Sequence, residues 1–223
     1  MDVVVHTLGR ATHIGKKEQG SDAIAKMMRA IAAINAMKMT AVHDPDLPGL
    51  PRLNVGSVIG GRGRQHNLRG AYTVSDFCTA YVNVRFNTSQ SGETILADFR
   101  RTLDALKADD PEFQYEIEFP PELSRGLGRL AKAAVDVPLT EPVVQMVKHH
   151  LKTLSGRDPQ YLGVRLPQSY AGNDTTHLWQ AGIPCCLYGP GGGYTDYHDV
   201  HTVLDDLFLV TRVLALTALE AAT

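Results

Sequence analysis

The sequence predicts an α/β protein: a ferredoxin-like βαββαβ domain over residues 1–120, then a segment, 121–223, whose α/β pattern holds too few strands for a complete sheet. Three observations carry this. The stretch Phe77 to Phe86 alternates cleanly, with Cys78, Ala80, Val82, Val84 and Phe86 on one side and Phe77, Thr79, Tyr81, Asn83 and Arg85 on the other, the period of a strand. Two runs have helical spacing, Ile24-Met27-Met28-Ile31-Ile34 and Ile95-Phe99-Leu103-Leu106. Strands and helices then follow in the order β-α-β-β-α-β, and Pro120-Pro121 marks the exit.

Taken in order, the valine-rich stretch Asp2 to Leu8 is a short strand, and Gly9 to Gly20 is a polar loop. Ser21 supplies a capping hydroxyl to the first helix. The prolines between Asp44 and Pro51 forbid a helix or central strand there. Leu53 to Ile59 is the second strand, ended by Gly60-Gly61-Arg62-Gly63, and Phe77 to Phe86 is the third. Its Cys78 side should meet helices and its Phe77 side should be only partly covered. Ser91 opens the second helix, and Tyr115, Ile117 and Phe119 mark the fourth strand.

Beyond Pro121, Glu141 to Leu154 is a helix behind Thr140, with Pro142 in its first turn and Val143, Val147, Leu151 and Leu154 facing inward. Tyr161 to Leu166 and Cys185 to Tyr188 are candidate strands. Asn173-Asp174 caps a helix that ends at Gly182, with Pro184 just beyond, and Asp205 or Asp206 opens a last helix.

The net charge is −2, with acidic and basic residues intermixed, which gives no electrostatic footprint for nucleic acid and no basic face for a membrane. No apolar run approaches the roughly 20 residues of a membrane-spanning helix, and the first residues lack a signal peptide's basic region, so a cytoplasmic location is expected. Cys78, Cys185 and Cys186 form no C-x-x-C pair and are expected to be buried, reduced thiols.

Several motifs then fall in a fixed order. Gly9-Arg10-Ala11-Thr12-His13 with Gly20-Ser21-Asp22-Ala23-Ile24 resembles a G-x-A-x-H … G-x-N-A-I signature, and Asn54 to Gly61 with Asn67 resembles N-x-G-x-I-x-G-G … N. Asn83-Val84-Arg85 stands where D-x-R is expected. Gly172-Asn173-Asp174, Gly182-Ile183-Pro184 and Tyr188-Gly189-Pro190-Gly191 with a following histidine resemble a closing segment. Together they are similar to the zinc-dependent peptidase and amidohydrolase family that includes acetylornithine deacetylase, succinyl-diaminopimelate desuccinylase, aminoacylase and glutamate carboxypeptidase.

The resemblance implies that the βαββαβ unit is a lid and dimerisation domain, and that His13 reaches a catalytic centre, in some members that of the partner subunit. A donor N–H from that histidine would stabilise the oxyanion of amide hydrolysis. Arg85 would clamp a substrate carboxylate and Asn67 orient a carbonyl. The plainer alternatives are a solvated loop histidine for His13, a strand-end surface charge for Arg85 and a turn residue for Asn67. Gly189 and Gly191 belong to a turn that lets substrate approach the backbone; without a following Gly-Lys-Ser or Gly-Lys-Thr, Gly189 to Gly193 is not a phosphate loop.

Asp196-Tyr197-His198-Asp199-Val200-His201 is the densest group of metal-ligand residue types. His198 is the candidate ligand, with His201 the runner-up and a metal-free polar loop the alternative. Thr202 stands where the family has a Glu after His198.

The family draws most of its metal ligands and its general base from a His-x-Asp motif and a Glu-Glu pair, and this sequence has neither. The expectation is therefore part of a two-zinc hydrolase (cobalt or manganese also possible) that cleaves an N-acyl amino acid or small peptide. The chain alone is expected to be inactive because it lacks the front half. The alternative is a non-catalytic dimerisation or binding module derived from such a hydrolase. A homodimer through the lid is expected, along with apolar surface exposed on 143–154 and 185–188.

Overall fold

The computed structural model describes residues 1–67, 71–119, 133–163, 173–194 and 200–223. The chain divides into two compact units, Met1–Ala134 and Val135–Thr223. The expected exit at Pro120-Pro121 lies outside the described residues.

The first unit is built on a four-stranded antiparallel sheet of β1 (Asp2–Leu8), β2 (Arg52–Gly61), β3 (Phe77–Arg85) and β4 (Gln114–Glu118), in the order β2-β3-β1-β4. Helices α1 (Ala23–Asn35) and α2 (Gly92–Asp109) complete the expected βαββαβ order. β1 is central, which suits its run of β-branched valines: Val3, Val4 and Val5 are all fully buried. One core forms between sheet and helices, with Val3, Val5, Cys78, Ala80, Val82 and Val84 meeting Met27, Ile34, Ile95, Phe99 and Leu103. The Cys78 side of β3 thus faces the helices as its alternation requires.

The other side of β3 is more covered than the sequence suggests, since Phe77 and Thr79 are buried beside His6. β2 is also longer than its alternation implies and carries a bulge between Val55 and Ser57. The bulge shifts the pleat by one residue. Leu53 and Val55 before it, and Val58 and Gly60 after it, all stand opposite the core-facing Val84, Val82, Ala80 and Cys78.

Asp22, not the expected Ser21, caps α1, accepting from the N–H groups of Ile24 at 2.9 Å and Ala25 at 3.3 Å. Ser21 is drawn one residue upstream by a two-way backbone bridge with Arg10. Ser91 caps α2 as expected, in a reciprocal capping box with Thr94. The loop that follows α1 is tied down by Asp98, a buried carboxylate on α2 that accepts from the Thr40 amide at 2.7 Å and its hydroxyl at 2.9 Å, and pairs with Arg101 at 2.6 Å. Lys26, buried on α1, donates to the carbonyls of Leu8 and Glu112. It thereby ties the end of β1 to the entry of β4.

The second unit comprises α3 (Pro142–Ser155), α4 (Thr175–Gln180), a two-stranded ribbon of β5 (Gly192–Tyr194) and β6 (Val200–Thr202), and α5 (Leu204–Ala221). Pro142 occupies the first turn of α3, where a missing N–H costs nothing, and Gly156 ends the helix with φ 69°. Val144 and Val147 of α3 and Val210 and Val213 of α5 are the buried apolar residues of this helix pair. Val144 thus takes the buried place expected of Val143.

Much of the α3 stripe is therefore covered. Larger apolar exposure lies at Leu187 and on α5 at Leu204 and Phe208. Cys185 to Tyr188 is not a strand, because no neighbouring strand among the described residues pairs its backbone groups. Tyr161 to Gly163 is likewise irregular, and the rest of that candidate strand lies outside the described residues. Asp205 and Asp206 sit in the first turn of α5 rather than at its cap, where their charge complements the helix dipole. Among the described residues no helix is long and apolar enough to cross a membrane. All three cysteines are free, Cys78 and Cys185 buried and Cys186 half-buried.

Candidate functional site

His13 ends the loop that follows β1 and stands just ahead of a 3₁₀ turn, Ile14–Gln19. Its Nδ1 accepts from the Gly15 N–H at 3.1 Å. A ring nitrogen that accepts carries no hydrogen, so the neutral ring bears its proton on Nε2, a donor on an exposed side chain. The backbone is fixed by a bridge to Thr73, flanked by Ile14 N–H to Tyr72 O at 2.7 Å and Val74 N–H to Thr12 O at 2.9 Å. The Tyr72 ring lies 5.9 Å from the imidazole.

Two glycines make this loop possible. A Cβ on Gly9 would fall 2.1 Å from the Ser21 carbonyl oxygen, and one on Gly20 would fall 2.5 Å from Thr12 Cγ2. The paired glycines of the G-x-A-x-H … G-x-N-A-I pattern therefore clamp the histidine loop against the entry of α1.

Asn67 lies in the turn after β2, bridged in both directions to the backbone of Arg62 at 3.0 and 3.2 Å. The turn is pinned from below, since the Gly63 N–H donates to Asp76 at 2.7 Å. A Cβ on Gly61 would sit 2.9 Å from the Asn67 carbonyl oxygen and 3.0 Å from the His66 carbonyl carbon. A Cβ on Gly60 would strike Ile24 at 2.5 Å. Both glycines of the Gly-Gly pair thus allow a close approach, one to the turn and one to α1.

Arg85 is the last residue of β3 and stands opposite Arg52. Gly61 and Leu8 both pair with Phe77, at the other end of β3, so the His13 and Asn67 turns share that end. At about 3.3 Å per residue, Phe77 and Arg85 are roughly 26 Å apart. The fold brings His13 and Asn67 to one end of the sheet and Arg85 to the opposite end. Within one chain they cannot touch the same small molecule.

In the second unit, the Asn173 carboxamide accepts from the Thr175 N–H at 2.9 Å at the start of α4, and the Gly191 carbonyl accepts from the Val203 N–H at 3.1 Å at the start of α5. A Cβ on Gly191 would come 2.4 Å from an Asp206 carboxylate oxygen, whereas one on Gly189 would meet nothing within 4 Å. Among the described residues no three His, Cys, Asp or Glu side chains lie together as metal donors. His201 on β6 is an exposed imidazole. The candidate ligand His198, with Asp196 and Asp199, lies outside the described residues, as does Gly172.

The sequence gives no sign of a further cluster on the open face of the sheet. Phe77 is packed by His6 at 5.1 Å, by His66 at 5.4 Å and by the Arg64 guanidinium at 4.8 Å, which also pairs with Glu116 at 2.8 Å. Arg64 and His66 both belong to the Asn67 turn, which folds back over the sheet.

Residues 1–111 match the peptidase dimerisation domain of the M20 family, and this segment of the chain belongs to that family. Two curated relatives are N-formyl-4-amino-5-aminomethyl-2-methylpyrimidine deformylases. The one from Halalkalibacterium halodurans is 26% identical over 211 residues, covering 90% of this chain and 45% of the relative. The one from Bacillus subtilis is 24% identical over 202 residues, covering 86% and 43%. The chain thus spans less than half the length of these relatives.

Solved structures share the fold at lower identity. An aminopeptidase PepT from Bacillus cereus matches with TM-score 0.64 at 18% identity, over 100% of this chain and 52% of that one. An M20 family metallo-carboxypeptidase from Sulfolobus solfataricus matches with TM-score 0.61 at 13% identity, over 97% and 57%.

Proposed function

We propose that this chain is the dimerisation lid and closing segment of a metal-dependent hydrolase that cleaves the amide bond of an N-acyl amino compound or small peptide. The observation that carries this reading is the division of the lid into two ends. His13 and Asn67 crowd one end and Arg85 marks the other, roughly 26 Å away. Such a lid serves two reaction centres at once, as a homodimer requires: one protomer supplies the histidine and asparagine to a centre, and its partner supplies the arginine.

At that centre the Nε2–H of His13 donates to the oxyanion of the tetrahedral intermediate. Its orientation is set in the free protein by the Gly15 bond to Nδ1. Asn67 holds the substrate carbonyl, and Arg85 pairs with a carboxylate on the substrate. The backbone at Gly189 and Gly191 lets substrate approach closely. The metal dependence of this reading comes from the family; His198 is the candidate ligand on this chain, with His201 the alternative. The described donors do not by themselves form a metal-holding set. The two deformylases support an acyl-amide substrate, with formyl as one acyl group to test.

The reading is tested by assaying the 223-residue chain, and the longest reading frame that contains it, against N-formyl and N-acetyl amino compounds and dipeptides with zinc or cobalt added. The chain alone should give no turnover. A longer frame that carries His-x-Asp and Glu-Glu motifs should turn over, and His13→Ala should lower its kcat by about 100-fold or more. Robust turnover by the chain alone would show that the essential groups are already present. A longer frame left inactive under every metal would favour a non-catalytic binding module.

A further inference from the structure

We propose that Glu118, His6, Thr79 and His66 form a hydrogen-bonded chain that braces the Asn67 turn and, with His6 neutral, holds His66 as its Nε2–H tautomer. The four residues come from β4, β1, β3 and the turn after β2. They are linked by His6 Nε2 to Glu118 at 3.2 Å, His6 Nδ1 to Thr79 Oγ1 at 2.9 Å, and His66 Nε2 to the same Thr79 Oγ1 at 2.8 Å. His6 and Thr79 are buried, at 2% and 0% exposure, so these bonds are made away from bulk water.

With His6 neutral, the inventory of donors sets the direction of every bond. A carboxylate only accepts, so His6 Nε2 carries a hydrogen and donates to Glu118. A neutral His6 then has a bare Nδ1, which must accept, and the Thr79 hydroxyl spends its single hydrogen there. Thr79 can therefore only accept from His66, whose Nε2 must carry the hydrogen. The chain runs His66 to Thr79 to His6 to Glu118. A proton added to His6 Nδ1 would reverse the hydroxyl and force His66 into the other tautomer. One ring thus reports the state of the next across the sheet.

The backbone gives an independent reason to read His66 as held in place. It has φ 52°, the left-handed region, where a Cβ crowds the following carbonyl oxygen. Histidine tolerates that region better than most residues, but such a conformation persists where the surroundings over-determine it. Here the ring does so, through its bond to Thr79 and its tilted contact with the Phe77 ring. Asn67 is the next residue in the same turn. His66 is therefore a positioning residue for Asn67, and Thr79, His6 and Glu118 position His66.

The functional consequence rests on the reading of Asn67 as a substrate-binding group; the geometry does not. The test uses the full chain labelled with nitrogen-15. Long-range proton–nitrogen correlation reads the ring tautomers, and amide exchange reads the Asn67 N–H, which is bonded to the Arg62 carbonyl. His6 and His66 should both appear as neutral Nε2–H tautomers. Thr79→Val should abolish the single tautomer of His66 and speed Asn67 exchange by about tenfold or more, and Thr79→Ser should restore both. A wild-type His66 with its hydrogen on Nδ1, or unchanged Asn67 exchange in folded Thr79→Val, would overturn the proposal. If the valine variant does not fold, the wild-type tautomers still decide. None of these readouts requires turnover, so a failed hydrolase reading would leave the result intact.

Discussion

Asp98 anchors the start of the long connection after α1, which Asn87 and Ser89 tie down further along at Val42. Burial pulls the Asp98 pKa up, but the Thr40 amide, the Thr40 hydroxyl and Arg101 together outweigh burial and hold it below the usual 3.8. A depressed folded value means the contribution to stability is complete above the unfolded value and is lost as pH falls through the folded one. Asp98→Ala should therefore destabilise the protein by roughly 1–3 kcal/mol at pH 7, the loss of part-buried hydrogen bonds to a charged acceptor. In urea denaturation, the gap between wild type and variant should narrow as the pH is lowered past 3.8. A gap that stays constant with pH would show that the charge is not what ties the loop.

Legibility at this scale follows sequence distance. His13, Asn67 and Arg85 stand out because each sits in a short local pattern. His66 does not: its partner Thr79 lies 13 residues on, and His6, bonded to the same hydroxyl, lies 73 residues from Thr79. Only the strand register brings them together.

The helices and the central strands were readable because their burial is one-sided and periodic. The errors cluster at the ends of elements, where local polar competition decides. Ser21 and Asp22 are both able caps, and the Arg10 bridge settles which one serves. The bulge in β2 was invisible because Gly56 has no side chain to betray a shifted pleat. Cys185 to Tyr188 has strand composition, but a strand also needs a neighbour, which composition does not encode.

The turn after β2 offers a sharp element-scale prediction. Gly61→Ala would drive a Cβ to 2.9 Å from the Asn67 carbonyl oxygen, and backbone cannot step aside as a side-chain tip can. The variant should lose roughly 1–3 kcal/mol of stability by thermal denaturation. It should also lose amide protection across the Arg62–Asn67 bridge. Gly189→Ala, which meets open space, should leave stability unchanged within about 0.5 kcal/mol. Equal effects of the two substitutions would mean that the close approach at Gly61 is not constraining.

Across the whole molecule, the proposed function requires the dimerisation domain to act in pairs. The His13 end and the Arg85 end of one sheet lie roughly 26 Å apart, so the proposed function needs two copies that place opposite ends together. The surface suited to that is the β2 edge with the adjoining flank of α1. Among the described residues β2 ends the sheet; Ile24 of α1 packs over its Gly60, and Ile24, Met28 and Val58 are all exposed. Met28 is 68% exposed and Val58 48%, large apolar side chains on α1 and on a strand that among the described residues pairs on one side only. The opposite edge, β4, instead turns Gln114, Glu116 and Glu118 outward from the core.

Sequence pattern supplied the βαββαβ order and the expectation of a dimer. The two-ended arrangement needed the register of β3, and the position of His198 lies outside the described residues. Sedimentation equilibrium on the 223-residue chain at tens of micromolar tests the pairing most directly. The account predicts a species of twice the 24.3 kDa chain mass that falls to a folded monomer when Met28→Glu and Val58→Lys are combined. A wild-type monomer at high micromolar concentration, or a dimer that survives both substitutions, would contradict it.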